Sequence, residues 1–368
     1  MWASQREITD YMPRGWQEFL RQPERLYGRP EEISVSPMFP FHRPEGNDLP
    51  EAAVDGQRAG TTYEALRDQV LDPHGVERAV LSHKLSMFAP ASPNPHLARE
   101  VAIATNNWTI ERWLDRDPRL YGLILAPTQT PDEAIAEIER MGQNDRMAGV
   151  LIAINAFAKP FGHPVYHPIY RAAAELDLPI VFHTGGDALS GTLSAHMAGG
   201  PPSTYAEYHT FLPQAMMTHL ITLIAQGVFV KFPKLRVLVA GAGAAWLPAI
   251  FWRYDIEYSA YRRETPWLDR SPSDVLREHV RLTTYPLDVA PRPEQVARLL
   301  AAYRGMEDIL VYGSGYPSWD TDTPASVAER IPSEWQRKVF RDNAIELFRW
   351  SAPAGRTEQP SADVGQMV

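Results

Sequence analysis

The chain is expected to fold as an α/β protein of the (β/α)8 TIM-barrel type. Three observations carry that expectation. From residue 62 onward, stretches with helical periodicity alternate with short apolar runs, the arrangement of parallel α/β architecture. Seven of the runs read as buried strands, at 77–82, 120–127, 148–154, 179–184, 236–240, 280–285 and 308–313. Three of these end in segments that can share one rim. PIVFHTGG ends in His183, RVLVAGAGAAW in Ala240 and Gly241, and DILVYGSGYPSWD in Gly313, Ser314 and Gly315. Strand tips on one face of a parallel barrel are where enzymes of this architecture carry their working groups.

Residues 1–61 read as an aromatic, proline-rich N-terminal extension, with a short helix over 16–20 and an irregular stretch over 28–61. The barrel is expected over 62–350. Its first helix covers 62–71, and ERAVLS is the first strand. Asn94 then caps a helix with Pro95 in its first turn. Leu97, Val101, Ala104 and Trp108 share one face of that helix at three- and four-residue spacing. LYGLILAP is a strand. Thr130, Pro131 and Glu133 read as a capping box, followed by the apolar stripe Ala134, Ile135 and Ile138. AGVLIAI is a strand and HPIYRAAAEL a helix. A long loop, 185–208, follows the fourth of these strands, and a helix from about 211 to 225 stops at Gly227. A final helix over 334–349 packs through Trp335, Phe340, Ile345 and Phe348. The polar stretch 351–368 has no periodicity and is expected to be disordered. An eighth strand is needed for a full barrel, and the one local candidate is EISVS (32–36), short and bounded by proline.

Composition narrows the function. The 368 residues carry 36 basic and 45 acidic side chains, a net charge of −9. An acidic surface repels phosphate and anionic lipid, which argues against a nucleic-acid or membrane-surface binder. There is no cysteine, so disulfides, thiolate catalysis and Cys-based metal sites are excluded. No apolar run is long enough for a membrane span, and the opening MWASQREITDY lacks the apolar core of a signal peptide. A cytoplasmic protein with a small-molecule substrate is expected, and a homodimer is compatible with it.

Candidate site residues gather at the strand ends. His183 precedes Thr184 and two glycines at a tip; the competing role is a buried histidine bonded to backbone. His209, in YAEYHTF, lies just ahead of a helix, in either a capping or a pocket role. Tyr285 ends LTTY and can turn its hydroxyl inward or pack on the rim. After the last strand come Ser314, Tyr316, Trp319 and Asp320. Trp319 lines the pocket or packs beneath it. Asp320 reads first as a cap for the next helix and second as a substrate contact. The glycines at 185, 186, 191, 199 and 200 match no nucleotide-binding pattern and read as a loop over the mouth. His163 and His167 are four apart, but Pro164 and Pro168 break any helical ligand face. Arg253 and Asp255 read as a helix ion pair or barrel support.

Taken together, ITDYMPRGWQEFL, LDPHGVERAVL, ERWLDRDPRLYG, PFGHPVYHPIYRAAAELDLPIVFHTGG, WLPAIFWRYD, REHVRLTTYPLD and YPSWDTDTP resemble the amidohydrolase-related hydrolases and decarboxylases. That is the group of aminocarboxymuconate-semialdehyde decarboxylase-like barrels, and the likeness runs over residues 8–350. The resemblance implies a metal-dependent barrel, and the chain departs from it at the metal. The family's opening strand with D-x-D-x-H or H-x-H has no counterpart before ITDYMPRGWQEFL, which leaves the alternative that the reading frame starts upstream. The family's sixth-strand ligand falls on Gly241. Its eighth-strand aspartate falls on Gly315, and the following histidine on Ser318. His183 matches the fifth-strand histidine, and the resemblance turns His209 toward the cavity.

One imidazole is too few donors for a catalytic metal, which takes about three protein ligands. The expectation is therefore an enzyme with no metal and no other cofactor. It would act on a small carbonyl- or carboxyl-bearing, aromatic or polyketide-like compound. The chemistry would be acid–base work by His183, with His209 and Tyr285, in hydrolysis, decarboxylation or cyclisation. The alternative is a catalytically silent barrel that binds a ligand or a partner subunit. A pocket that groups His183 with another titratable side chain favours the enzyme.

Overall fold

The computed structural model describes residues 1, 3–27, 48–84, 86–92, 94–155, 158–184 and 204–351. All seven expected strands form: β1 Ala79–Leu81, β2 Leu120–Leu125, β3 Met147–Ile152, β4 Ile180–His183, β5 Val237–Ala240, β6 Val280–Thr283 and β7 Leu310–Val311. Each pairs in parallel with the next, in the order β1 to β7. The eighth-strand candidate EISVS, the glycine loop 185–203 and the stretch from 352 lie outside the described residues.

Period-two alternation divides the strand side chains between two layers. Leu123, Leu125, Leu151, Val181, Leu238 and Val311 share one buried cluster. Ile124, Val150, Ile152, Ile180, Phe182, Val237, Val239, Leu282 and Leu310 belong to a second, larger one, with the helices. The first cluster faces the axis around which the sheet curls, and the second fills the layer between sheet and helices. Burial on both faces explains why the strands read as continuous apolar runs.

The helices are α1 Gln5–Asp10, α2 Arg14–Tyr27, α3 Tyr63–Leu66, α4 Pro95–Arg112, α5 Pro131–Met141, α6 His167–Glu175 and α7 Tyr205–Ala225. They continue with α8 Val228–Lys231, α9 Leu247–Tyr261, α10 Pro272–His279, α11 Pro293–Ala301, α12 Met306–Ile309, α13 Pro324–Ala328 and α14 Asn343–Phe348. Asn94 caps α4 as expected, accepting from the amides of His96 and Leu97. Thr130 does not cap α5 through its side chain. Its hydroxyl turns back to the Pro127 carbonyl at 3.3 Å, and Glu133 pairs with Arg99 at 3.2 Å instead of closing a box. The final helix is broken into a turn at Ser333–Trp335, a wide turn at Lys338–Asp342 and α14.

The helix expected from residue 211 begins six residues earlier. Thr204 accepts from the Glu207 amide at 3.2 Å, and the Glu207 carboxylate accepts from the Thr204 amide at 3.1 Å. This reciprocal box starts α7 at Tyr205 and leaves Pro213 inside the helix. His209 therefore sits on the helix, not ahead of it.

The described part of the N-terminal extension packs onto the barrel. α1 lies against α4. Asp48 pairs with Arg58 at 2.7 Å and with Lys84, and bridges antiparallel to Ser318 in the loop after β7. Arg253 and Asp255 support α9 separately: Arg253 pairs with Glu257 one turn on, while Asp255 accepts from the Ser273 amide.

Candidate active site at the strand tips

One cavity of about 760 Å³ occupies the barrel axis, and side chains from β1, β2, β4, β5, β6 and β7 line it. Its walls include Phe88, Leu123, Val181, Leu238 and Val311, and His183, His209, Tyr285, Ser314 and Tyr316 also border it.

Three threonines that the sequence reading passed over tie the strand tips together. His183 is in register with Ala240. The next residue, Thr184, donates its hydroxyl to the Gly241 carbonyl at 2.6 Å. The Gly241 amide donates to Thr283 Oγ1 at 3.2 Å, and the Gly313 amide to Thr284 Oγ1 at 3.2 Å. The strands have left their ladders at this point, and hydroxyls replace the missing strand partners. The signal was present as a threonine directly after each apolar run, in FHTGG and LTTY.

The His183 Nδ1 lies 2.7 Å from its neighbour's carbonyl, Thr184 O. A carbonyl only accepts, so Nδ1 carries the hydrogen and the Nε2 of the neutral ring is an acceptor. Burial pushes this imidazole below its ordinary value of 6.5, which favours that neutral form. The ring is thus bonded to backbone through Nδ1, and the residue borders the cavity.

Across the mouth, the Tyr285 hydroxyl donates to Asp320 Oδ1 at 2.7 Å. The other carboxylate oxygen faces His209 Nε2 at 3.8 Å, an ion-pair distance and not a hydrogen bond. Asp320 does not cap the following helix. Thr323 does, accepting from the Ser326 amide at 3.1 Å, which leaves Asp320 for the tyrosine. Trp319 is not a wall of the cavity: its side chain is 55% exposed, with its ring 6.0 Å from that of His209 at the outer rim. The Tyr316 hydroxyl donates to Gln69 at 2.9 Å, and Ser314 Oγ accepts from the Tyr316 amide at 3.2 Å.

His83, at the tip of β1, was missed. It borders the cavity, is buried, and lies 2.9 Å from Thr109 Oγ1. Nothing in LSHK marked it. His163 caps its own turn through Nδ1, and His167 faces Lys231 at 3.0 Å, so the pair forms no ligand face.

Among the described residues the donor set around His183 is short of what a divalent metal takes. Among the described residues no group of three or more His, Cys, Asp or Glu is placed to hold one. A Cβ at position 241 would lie 3.4 and 3.6 Å from His183 Cε1 and Nε2, so that position faces the imidazole, but it is glycine. A Cβ at position 315 would overlap the Tyr285 ring.

A parallel α/β barrel with its pocket at the strand tips defines the class of protein. The chain belongs to the amidohydrolase family, whose sequence profile matches residues 33–350. It is 26% identical over 307 residues to gamma-resorcylate decarboxylase of Rhizobium sp. (strain MTP-10005), covering 77% of this chain and 86% of that one. It is also 26% identical, over 314 residues, to the enzyme of the same name from Rhodococcus jostii (strain RHA1), covering 77% and 87%. Two solved structures share the fold. One is 2,6-dihydroxybenzoate decarboxylase from Rhizobium, with TM-score 0.60, 22% identity, and 77% and 87% of the two chains covered. The other is a 5-carboxyvanillate decarboxylase mutant from Novosphingobium aromaticivorans with bound manganese, with TM-score 0.63, 20% identity, and 95% and 94% covered. The manganese in that structure lends no support to a metal-free reaction; the case for one rests on this chain's own donors. Among the described residues no helix is long and apolar enough to cross a membrane.

Proposed function

We propose that this protein decarboxylates a hydroxylated aromatic carboxylate by acid–base chemistry at the barrel mouth. The observation that carries the reading is the placing of a neutral His183, His209 and Tyr285 on one apolar-walled cavity, with Asp320 bonded to Tyr285 and facing His209. A silent barrel would leave His183 alone among apolar groups. The named activities of the relatives point to the same substrate class.

The reaction breaks the bond between the ring carbon and the carboxyl carbon, and CO2 leaves. The bonding pair stays on the ring carbon, which takes up a proton. His183 Nε2 accepts the proton of the ring hydroxyl beside the carboxylate, which raises electron density at that carbon. His209 supplies the proton to the ring and regains one from solvent, and His183 returns its proton to the ring oxygen. Asp320 holds the His209 imidazole from one side, and Tyr285 fixes Asp320 by its 2.7 Å hydrogen bond. The apolar wall receives the ring and excludes water. Each proton transfer contributes about 10²–10⁴-fold in rate.

The test is a panel of mono- and dihydroxybenzoates incubated with the full chain in D2O. The expected result is loss of CO2 from at least one member, with one deuterium at the carbon that carried it. Turnover by hydrolysis or cyclisation, or none with any member of the panel, would contradict the reading.

A further inference from the structure

We propose that the places which metal ligands would need around His183 are filled by side chains of this chain, so that the pocket takes no divalent cation and is organised by Tyr285 and Asp320 instead. The proposal rests on the pocket assigned above and not on the decarboxylation itself.

Two positions decide it. Position 241 points at the edge of the His183 imidazole, where a second donor would be needed. It is glycine at φ +76°, and an added Cβ would lie 2.7 Å from Thr184 Oγ1. The Thr184 hydroxyl crowds that place and is itself bonded to the Gly241 carbonyl at 2.6 Å. Position 315, at the tip after β7, is glycine at φ +68°, and its missing side chain leaves the seat on which the Tyr285 ring lies. The ring is directed as well as seated, because its hydroxyl donates to Asp320. Simple erosion of a metal site would leave empty space or water at these positions. Here each is closed by a polar side chain with a defined hydrogen bond. Asp320 is already engaged by Tyr285 and faces His209. Tyr285 is thus a positioning residue, and Gly315 matters because it has no side chain.

Calorimetric titration of the chelator-washed full chain with MnCl2 tests the proposal without any substrate, so its outcome is separate from that of the decarboxylation assay. No stoichiometric binding is expected up to millimolar Mn2+. One Mn2+ per chain at micromolar affinity, lost in His183→Ala, would overturn it. A thermal double-mutant cycle tests the seat. Gly315→Ala is expected to lower Tm strongly in the native background and much less in Tyr285→Ala. The strain of a positive φ is common to both backgrounds and cancels. Equal losses in the two backgrounds would show that the ring does not sit on position 315.

Discussion

A histidine at a strand tip gains its chemistry from what its second nitrogen does. His183 gives Nδ1–H to the Thr184 carbonyl and borders the cavity, so its tautomer is set by one backbone group. His83 is held differently, buried beside Thr109, and burial drives it down to about 3 from 6.5. The sign of the pH effect follows. Below about pH 6.5 the unfolded chain binds a proton that folded His83 refuses until about pH 3. The stability this group contributes is therefore present above 6.5 and is lost as pH falls toward 3. His183 is shifted in the same direction. Tm should fall steadily between pH 6.5 and about 4, and His83→Gln should flatten that slope. A slope unchanged in the variant would assign the acid sensitivity to other groups.

At the level of elements, the sequence showed the strands well because both faces of the sheet are buried and nearly every strand residue is apolar. It showed α4 for the same reason: Val101, Ala104 and Trp108 are all buried. It could not show Asn106 on that helix, which is fully buried because the Leu125 amide and carbonyl and Glu137 satisfy it. It placed the start of α7 six residues late, because the Thr204–Glu207 capping box that begins it went unread. The threonine ties among β4 to β7 went unread because a threonine after a strand is common and its partner lies on another element. They carry a measurable load. Thr284 is fully buried and accepts the Gly313 amide. Thr284→Val keeps the shape and removes that acceptor, which should cost about 1–3 kcal/mol in denaturant unfolding. A loss near zero would mean that the Gly313 amide has another partner.

Seen whole, the molecule joins residues distant in sequence at one mouth. His183, His209, Tyr285 and Asp320 come from β4, α7, the end of β6 and the loop after β7, and only closure of a parallel sheet brings them together. All four could be named as site candidates from their places after the strands and from the resemblance. Asp320 could not be given its role, because a polar residue shortly before a helix reads as a cap until Thr323 is seen to fill that position. The fold, with its parallel order and inner and outer layers, was legible almost throughout. The Tyr285–Asp320–His209 arrangement was not, since it depends on the direction of side chains that no periodicity encodes.

The central claim is that this mouth performs acid–base catalysis through His183. It is tested most directly by CO2 release from a hydroxybenzoate substrate, measured on chelator-washed native protein and on His183→Ala, with Tm recorded on both. The expected result is turnover by the washed native protein, a loss of about 10²–10⁴-fold in the variant, and nearly equal melting temperatures. Unchanged turnover in His183→Ala, or activity lost only in proportion to unfolding, would contradict it.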